Sequence, residues 1–178
     1  MILPDWMIRD LIIDYDFVRV PQEREALYGD DIRSQVQPAS LDVRLSGEFR
    51  DYVTGDPFAL SPLKPGHRLI LNPGECVLGS LVERFEIPNN LVARVEGKSS
   101  WARKFLTVHS AGFIDPGFVG DITLELKNDG HAPLYIPVGC AIAQVSFHQM
   151  AGPAEQPYGS GGLNSHYQNQ RGPTKSAL

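Results

Sequence analysis

One carboxylate in the second half of the chain lies where proton chemistry is possible. Glu125 belongs to a run that alternates like a β-strand. The alternation groups it with two polar neighbours on one face, opposite three apolar residues: Thr123 and Lys127 against Ile122, Leu124 and Leu126. If water covers the polar face, Glu125 forms a surface ion pair with Lys127. If another subunit covers it, removal from water favours the protonated acid and suits Glu125 to moving protons.

A second group of residues, from Gly97 to Arg103, has the composition of an anion site. Ser99 and Ser100 follow Gly97 and Lys98, so backbone amides, two hydroxyls and cations lie close together in the chain. Such groups bind phosphate oxygens, and an arginine binds them through two parallel hydrogen bonds. The spacing is not that of a Walker A motif. The segment therefore predicts phosphate contacts of another kind.

The segment Asp115-Pro116-Gly117 is typical of a tight turn. A turn needs no chemical role, and the three residues by themselves favour this interpretation. A role for the Asp115 carboxylate depends on the wider pattern in which the segment occurs.

The overall composition restricts the classes of function. The chain has 178 residues, with 42% hydrophobic and 21% charged, which is ordinary for one globular domain. A net charge of −5 argues against a general nucleic-acid-binding protein, so an anionic substrate needs local cations and a metal ion. No apolar run reaches the ~20 residues that cross a bilayer, and the first residues lack a signal-peptide pattern. We therefore expect a cytoplasmic protein that binds neither nucleic acid nor membrane.

Short strands must position these residues. A short N-terminal helix, which we expect Asp5 to cap, is followed by a polar stretch from Pro21 to Pro38 without a clear period. Alternating segments separated by Pro and Gly turns then predict an all-β fold, a distorted β-barrel or jelly roll, with residues 1–178 as one domain. The predicted strands are Ser40–Leu45, Arg68–Leu71, Cys76–Phe85, Leu91–Val95, Leu106–Ser110, Asp121–Lys127, Leu134–Ile136 and Ala141–His148.

The tail, residues 152–178, differs from the rest of the chain. It is rich in Gly, Ser, Gln and Asn and has too few apolar residues to order by itself. Two interpretations stay open. The tail is either a frayed terminus or a flexible flap that orders over a ligand.

Several segments form a joint pattern in order along most of the chain. They are Ala39-Ser40-Leu41-Asp42-Val43-Arg44-Leu45, Glu96-Gly97-Lys98-Ser99-Ser100-x-x-Arg103, Ala111-Gly112-Phe113-Ile114-Asp115-Pro116-Gly117-Phe118, Thr123-Leu124-Glu125, Gly139-x-x-Ile142-Ala143-Gln144, Pro157-Tyr158 and Tyr167-x-x-Gln170-Arg171-Gly172-Pro173. This pattern resembles the deoxycytidine triphosphate (dCTP) deaminases and shares several pieces with the sister deoxyuridine triphosphatases (dUTPases). Glu125 separates the two branches, because the pure hydrolases usually have an apolar residue there. The motifs are most similar to those of the bifunctional, dUMP-forming deaminases.

The resemblance implies a dUTPase-like homotrimer that acts on dCTP or dUTP at three sites, each at a subunit boundary. Glu125 is then the proton shuttle: it takes a proton from the water that attacks C4 of cytosine, protonates N3 and helps ammonia leave. Ser99 and Arg103 position water and substrate, with Arg103 reaching in from a neighbouring subunit. Asp115 contacts the sugar and, for hydrolysis, activates water at the α-phosphorus.

The resemblance also implies a set of residues that bind substrate. Phe118 packs under the deoxyribose and disfavours a 2′-hydroxyl. The residues near the triphosphate are Gln144, Tyr158, His166 and Gln170. The other substrate contacts in the matching segments are Lys98, Ser100, Ala111 and Gly112. Mg²⁺ accompanies the triphosphate and is held mainly by phosphate oxygens.

Deamination by this chain must proceed without zinc. The zinc deaminases need a His-x-Glu with a Pro-Cys-x-x-Cys, and the sequence has neither. Its two cysteines, Cys76 and Cys140, are too few for a four-ligand zinc site. We therefore expect catalysis by positioning, fixed hydrogen-bond donors and one carboxylate.

Four functions stay open on the sequence. Glu125 and the Gly112-x-Ile114-Asp115 segment favour a bifunctional enzyme that converts dCTP to dUMP and pyrophosphate. Between the Ser99-Ser100 pair and Asp115 the chain is one residue shorter than the deaminases, which commonly read His-x-Thr-Ala where this chain reads His109-Ser110-Ala111-Gly112. This length favours a pure hydrolase of dUTP or a related nucleotide. A deaminase that releases dUTP and a regulatory trimer without turnover are the remaining alternatives.

Overall fold

The computed structural model describes residues 1–109 and 111–177, in which strands make up most of the regular secondary structure. The elements are α1 (Asp5–Tyr15), β1 (Val18–Arg19), α2 (Gln22–Tyr28), a 3₁₀ turn (Arg33–Gln35), β2 (Val36–Gln37), β3 (Ser40–Asp51), β4 (Pro57–Ala59), β5 (Arg68–Leu71), β6 (Cys76–Glu86), β7 (Leu91–Gly97), α3 (Ser99–Ala102), β8 (Leu106–His109), β9 (Phe113–Ile114), β10 (Val119–Asn128), β11 (Leu134–Pro137) and β12 (Ala141–Gln149). Among these described residues, no helix is both long and apolar enough to span a membrane.

A curled, antiparallel sheet forms the body of the molecule. Its main path runs β8-β10-β6-β3-β12-β7-β9, and β5 pairs separately with β11. The pairing register shifts within β3, β10 and β12. Such bulges bend a sheet and increase its twist, which lets these strands curl around one core. The expectation of an all-β, barrel-like fold is confirmed.

The predicted strands all occur, with bounds that differ by a few residues. The longest extension is in β3, which continues to Asp51. The predicted strand Leu106–Ser110 ends at His109, since Ser110 lies outside the described residues. Leu, Val, Ile and Phe side chains from both halves of the curled sheet form a single buried cluster. Burying this apolar surface is the main force that holds the strands together.

The N-terminal region differs from the expectation in two ways. Helix α1 begins at Asp5 and is preceded by Pro4, so Asp5 does not cap it and instead forms an ion pair with Arg9. The polar stretch that showed no period contains helix α2. Its sequence lacks an apolar stripe because the residue that it buries is a charged one, Arg24.

The tail has neither helix nor strand, yet it packs against β10. The amide of Asn169 donates to the carbonyl of Val119 at 2.7 Å, and the amide of Asp121 donates to the carbonyl of Gln170 at 3.1 Å. Gly172, further along the tail, is buried. The tail therefore supplies backbone partners to the beginning of β10.

Candidate active site

A cavity of about 750 Å³ lies between β10, the segment before β9, and the tail. Its volume is within the usual range of roughly 300–1,000 Å³ for small-molecule sites. It brings together the following predicted site residues: Ala111, Gly112, Asp115, Phe118, Glu125, Tyr158 and Gln170. Residues that are up to 59 positions apart in the sequence therefore surround one space.

Glu125 is held by a strand with a partner on each side. It pairs with Leu78 of β6 and with His109 of β8, and its neighbours Leu124 and Leu126 are fully buried. The expected alternation therefore holds around the glutamate and exposes its side chain to the cavity. A carboxylate fixed in this way can accept and return a proton without moving its backbone.

Two details around Glu125 differ from the expectation. The register of β10 shifts between Asp121 and Thr123, and Ile122, which is buried in the core cluster with Leu124 and Leu126 as expected, also contributes to the lining of the cavity. The bulge is the physical reason, because it interrupts the alternation of side chains. In addition, Lys127 pairs with Asp129, with Nζ and Oδ1 2.6 Å apart.

The turn at Asp115 both reverses the chain and carries a carboxylate. The amide of Phe118 donates to the carbonyl of Asp115 at 3.2 Å, and Gly117 has a φ of +83°. Proline followed by a left-handed glycine is typical of a type II turn. The Asp115 side chain is exposed at the cavity, and within the described parts of the chain no hydrogen bond or ion pair engages it.

The tail crosses directly over this turn. The amide of Tyr158 donates to the carbonyl of Pro116 at 2.8 Å, and the rings of Tyr158 and Phe118 are 5.9 Å apart. A Cβ on Gly117 would lie 2.6 Å from Pro157 Cβ, so only glycine permits this approach. Phe118 is buried with its ring against the tail, which gives the cavity an aromatic wall.

Ala111 and Gly112 line the cavity next to Phe113. The carbonyl of Gly112 accepts a hydrogen bond of 3.0 Å from the amide of Val95, and Gly112 has a φ of +71°. The backbone is therefore fixed to β7 at this point, directly beside the cavity. Ser110, in the shortened stretch, lies outside the described residues.

The predicted anion segment lies apart from the cavity. Ser99, Ser100 and Arg103 are exposed on and after α3 and do not line it. The tryptophan between them, Trp101, fastens this short helix by donating from Nε1 to the carbonyl of Ala141 at 3.0 Å. The structure of one chain therefore separates these residues from Glu125 and Asp115.

Lys98 and Gln144 belong to a different cluster around Asp42. The Lys98 ammonium forms an ion pair with the Asp42 carboxylate, and Gln144 pairs with Asp42 across β3 and β12. Asp42 Oδ1 is buried without a hydrogen-bond partner among the described residues. His166 is exposed on the tail, with its ring against that of Tyr167, and does not line the cavity.

Some cavity residues had no signal in the sequence. The hairpin residues Asp51–Gly55 form one wall, and their sequence reads as an ordinary turn, with Val53 and Thr54 donating their amides to Asp51 Oδ1. The tail residues Thr174 and Lys175 also line the cavity. Only the return of the tail along β10 brings them there.

Among the residues that the structure describes, three carboxylates line one nucleotide-sized cavity with an aromatic wall. That of Asp51 accepts the amides of its own turn, while Glu125 and Asp115 are exposed at the cavity. Glu125 is held on a rigid strand and Asp115 on a turn, so the two acids reach a ligand from different elements. Two such groups suit a ligand that needs proton transfer at two places.

The chain is similar to a family of known proteins. A family model described as "dCTP deaminase-like" matches residues 2–150. A protein of Corynebacterium jeikeium named "dCTP deaminase, dUMP-forming" is 49% identical over 154 residues, which cover 79% of this chain and 82% of that protein. A protein of the same name from Mycobacterium ulcerans is 48% identical over 157 residues, which cover 80% and 82%.

A solved structure shares the fold. The crystal structure of 2′-deoxycytidine 5′-triphosphate deaminase from Agrobacterium tumefaciens superposes with a TM-score of 0.65 at 23% identity. The match covers 83% of this chain and 47% of that one, so the present chain spans about half of its length. The family match extends over most of the sequence and includes the strand that carries Glu125 and the turn that carries Asp115. The chain therefore belongs to the dCTP deaminase-like family.

Proposed function

We propose that the protein deaminates dCTP without zinc and hydrolyses the product to dUMP and pyrophosphate. The observation that carries the proposal is that Glu125 and Asp115 line the same cavity. The names of the relatives that are 48–49% identical over most of the chain support this reaction.

The deamination step needs one group that moves protons. Water adds to C4 of cytosine while Glu125 takes one of its protons and delivers it to N3. Glu125 then moves the proton of the added hydroxyl to the amino group, which leaves as ammonia while the C4 carbonyl of uracil forms. One positioned acid–base group of this kind contributes roughly 10²–10⁴-fold to a rate.

The hydrolytic step breaks a bond at the other end of the nucleotide. A second water attacks the α-phosphorus, Asp115 accepts its proton, and the bond to the bridging oxygen breaks to release pyrophosphate. Asp115 suits this role because its exposed side chain has no partner in the described parts of the chain. It also lies one turn from Phe118, which we assign to the deoxyribose.

We propose that three copies of the chain complete the sites. Ser99 and Arg103 are exposed on α3, away from the cavity of their own chain. A homotrimer with its sites at subunit boundaries places Arg103 of one subunit beside Glu125 of the next. In the same assembly, Lys98, Ser100, Gln144, Tyr158, His166 and Gln170 surround the substrate.

Mg²⁺ fits this site as a companion of the triphosphate. The ion prefers oxygen ligands in octahedral geometry and is usually bound through substrate phosphates with one or two carboxylates. The carboxylate of Asp115 at the cavity is an oxygen donor of this class. When bound, the ion neutralises phosphate charge, while the residues of the chain orient the nucleotide.

A pure hydrolase of dUTP is the second candidate. The shortened stretch His109–Gly112 favours it, because one residue fewer changes the backbone that faces the base. Incubation with dCTP, dUTP and dTTP plus Mg²⁺ distinguishes the two when ammonia, pyrophosphate and each nucleotide are resolved. We expect ammonia, pyrophosphate and dUMP from dCTP. Pyrophosphate from dUTP without ammonia from dCTP would establish the hydrolase, and ammonia with stoichiometric dUTP a deaminase alone.

A further inference from the structure

A buried group of charges lies beside the cavity, on the strand that carries Glu125. The carboxylate of Asp121 has no exposure to solvent. Arg24 Nη2 lies 2.7 Å from its Oδ2, and Arg84 Nη1 lies 3.3 Å from its Oδ1. Arg24 also reaches Glu48 Oε2 at 2.6 Å.

The guanidinium of Arg24 keeps its charge although it is buried. Burial by itself lowers the pKa of Arg24, but Asp121 and Glu48 raise it above the ordinary value. Buried ion pairs of this kind add little to stability compared with apolar residues of the same size. The two arginines do hold the Asp121 carboxylate in a fixed orientation, in which it can accept a hydrogen bond from another segment of the chain.

The tail is that other segment of the chain. The amide of Gly172 donates to Asp121 Oδ2 at 2.8 Å, and Arg84 Nη1 donates to the carbonyl of Gln170 at 3.1 Å. Gly172 and Pro173 are buried at this contact. Both oxygens of the carboxylate are thus held by arginines, and one of them also accepts from the tail.

This contact fixes side chains that line the cavity. Gln170 Nε2 donates to the carbonyl of Asp121, and Gln170 Oε1 accepts from Thr174 Oγ1 at 2.6 Å. The amide of Thr174 in turn donates to Thr123 Oγ1 at 3.2 Å. These hydrogen bonds fix the position of the tail along β10 at Asp121 and Thr123, which lie four and two residues before Glu125.

We infer that Asp121 is a positioning residue that fastens the tail segment 168–174 to its own subunit, with Arg24 and Arg84 holding its carboxylate in place. Because these contacts need no nucleotide, we expect the segment to be docked in the free protein, and docking places the Gln170 amide at the cavity. The anchoring stands on these contacts alone. Its effect on triphosphate affinity rests on the function proposed above.

Two variants and one control test the inference. Asp121→Asn removes the charge that both arginines need. Gly172→Ala leaves that network intact and strains only the tail, because Gly172 has a φ of +60° while the nearest atom to a new Cβ is 3.6 Å away. The control is Glu23→Gln. This variant breaks the ion pair between Glu23 of helix α2 and Arg171 of the tail, in which the Glu23 side chain is 63% exposed. Exposed pairs contribute little.

The measurement is amide hydrogen exchange of the nucleotide-free protein, followed by peptides that cover residues 168–174. We expect protection in the wild type and in Glu23→Gln, and exchange faster by about ten-fold in both Asp121→Asn and Gly172→Ala. The first loses the charge of the acceptor for the Gly172 amide, and the second places alanine in a left-handed conformation that disfavours the docked tail. The KM for dCTP should rise by a similar factor in Gly172→Ala while kcat stays within about three-fold.

Three results would overturn the inference. They are an unprotected segment in the wild type, unchanged exchange in Gly172→Ala, and an effect of Glu23→Gln as large as that of Gly172→Ala. Because exchange is measured without nucleotide, a protein that shows protection but no turnover of dCTP contradicts the proposed function and leaves the anchor intact. If Asp121→Asn does not fold, Gly172→Ala still decides.

Discussion

The amide of Tyr158 donates a hydrogen bond of 2.8 Å to the carbonyl of Pro116. This bond joins the tail to the turn that carries Asp115, and the ring of Tyr158 then meets Phe118. One wall of the cavity is thus made by two segments that are about 40 residues apart in the chain. Disturbing either segment is expected to change how the site binds a nucleotide.

Replacing Glu125 with glutamine tests the proton shuttle. The amide keeps the shape of the side chain but neither accepts nor returns a proton, so ammonia release should fall by roughly 10²–10⁴-fold. Binding of dCTP, measured by calorimetry, should stay within about three-fold of wild type, because the amide still forms hydrogen bonds. Glu86→Gln is the control, since Glu86 is exposed at the end of β6, outside the cavity. Deamination at nearly the wild-type rate would reassign Glu125 to structure.

Replacing Asp115 with asparagine separates the two reactions. Without a carboxylate to accept the proton of water, pyrophosphate release should fall by roughly 10²–10⁴-fold. Phosphorus NMR combined with an ammonia assay follows both products. Deamination should fall less, because the side chain amide still contacts the sugar. Pyrophosphate formed at the wild-type rate would show that another group activates the water.

Gly117→Ala tests the contact between turn and tail. The new methyl group meets Pro157 Cβ at 2.6 Å and the backbone of Tyr158, so the tail must move and the KM for the triphosphate should rise about ten-fold or more.

The matched control is Gly74→Ala. Gly74 follows Pro73 in a similar turn and has a φ of +81°, but no atom lies within 4 Å of a new Cβ. Both variants therefore share the backbone strain of about 1 kcal/mol, and only Gly117→Ala displaces the tail. Equal effects of the two variants on KM would exclude a role for the contact.

The homotrimer is tested by mass and by complementation. Light scattering should give three times the mass of one chain. Arg103→Ala and Glu125→Gln should each be inactive alone, while trimers reassembled from an equal mixture should recover about a quarter of the sites, because intact residues then meet across some boundaries. A monomer mass, or no recovery in mixed trimers, would contradict a shared site.

The strands were predictable because their signals are local, whereas Glu125 and Asp115 were singled out by the joint pattern of segments along the chain. Alternation and Pro-Gly turns mark β6, β10 and β12, and Glu125 and Asp115 lie in recognisable segments. Helix α2 was not predictable in the same way, because the burial of Arg24 depends on Asp121, which is 97 positions away. The hairpin wall Asp51–Gly55 has turn residues with no chemical signal. Whether Ser99 and Arg103 join the site depends on a second chain, which no local pattern describes.

The pairing of the tail with β10 has a consequence for solubility. In the described parts of the chain, β8 pairs with residues 125–128 of this strand, and nearer the beginning of the strand the tail supplies backbone partners to Val119 and Asp121. An uncovered strand edge presents N–H and C=O groups that attract the edge of another molecule. A chain shortened before Gln168 should therefore aggregate in a concentration-dependent manner, and the segment that shapes the cavity also protects the sheet from self-association.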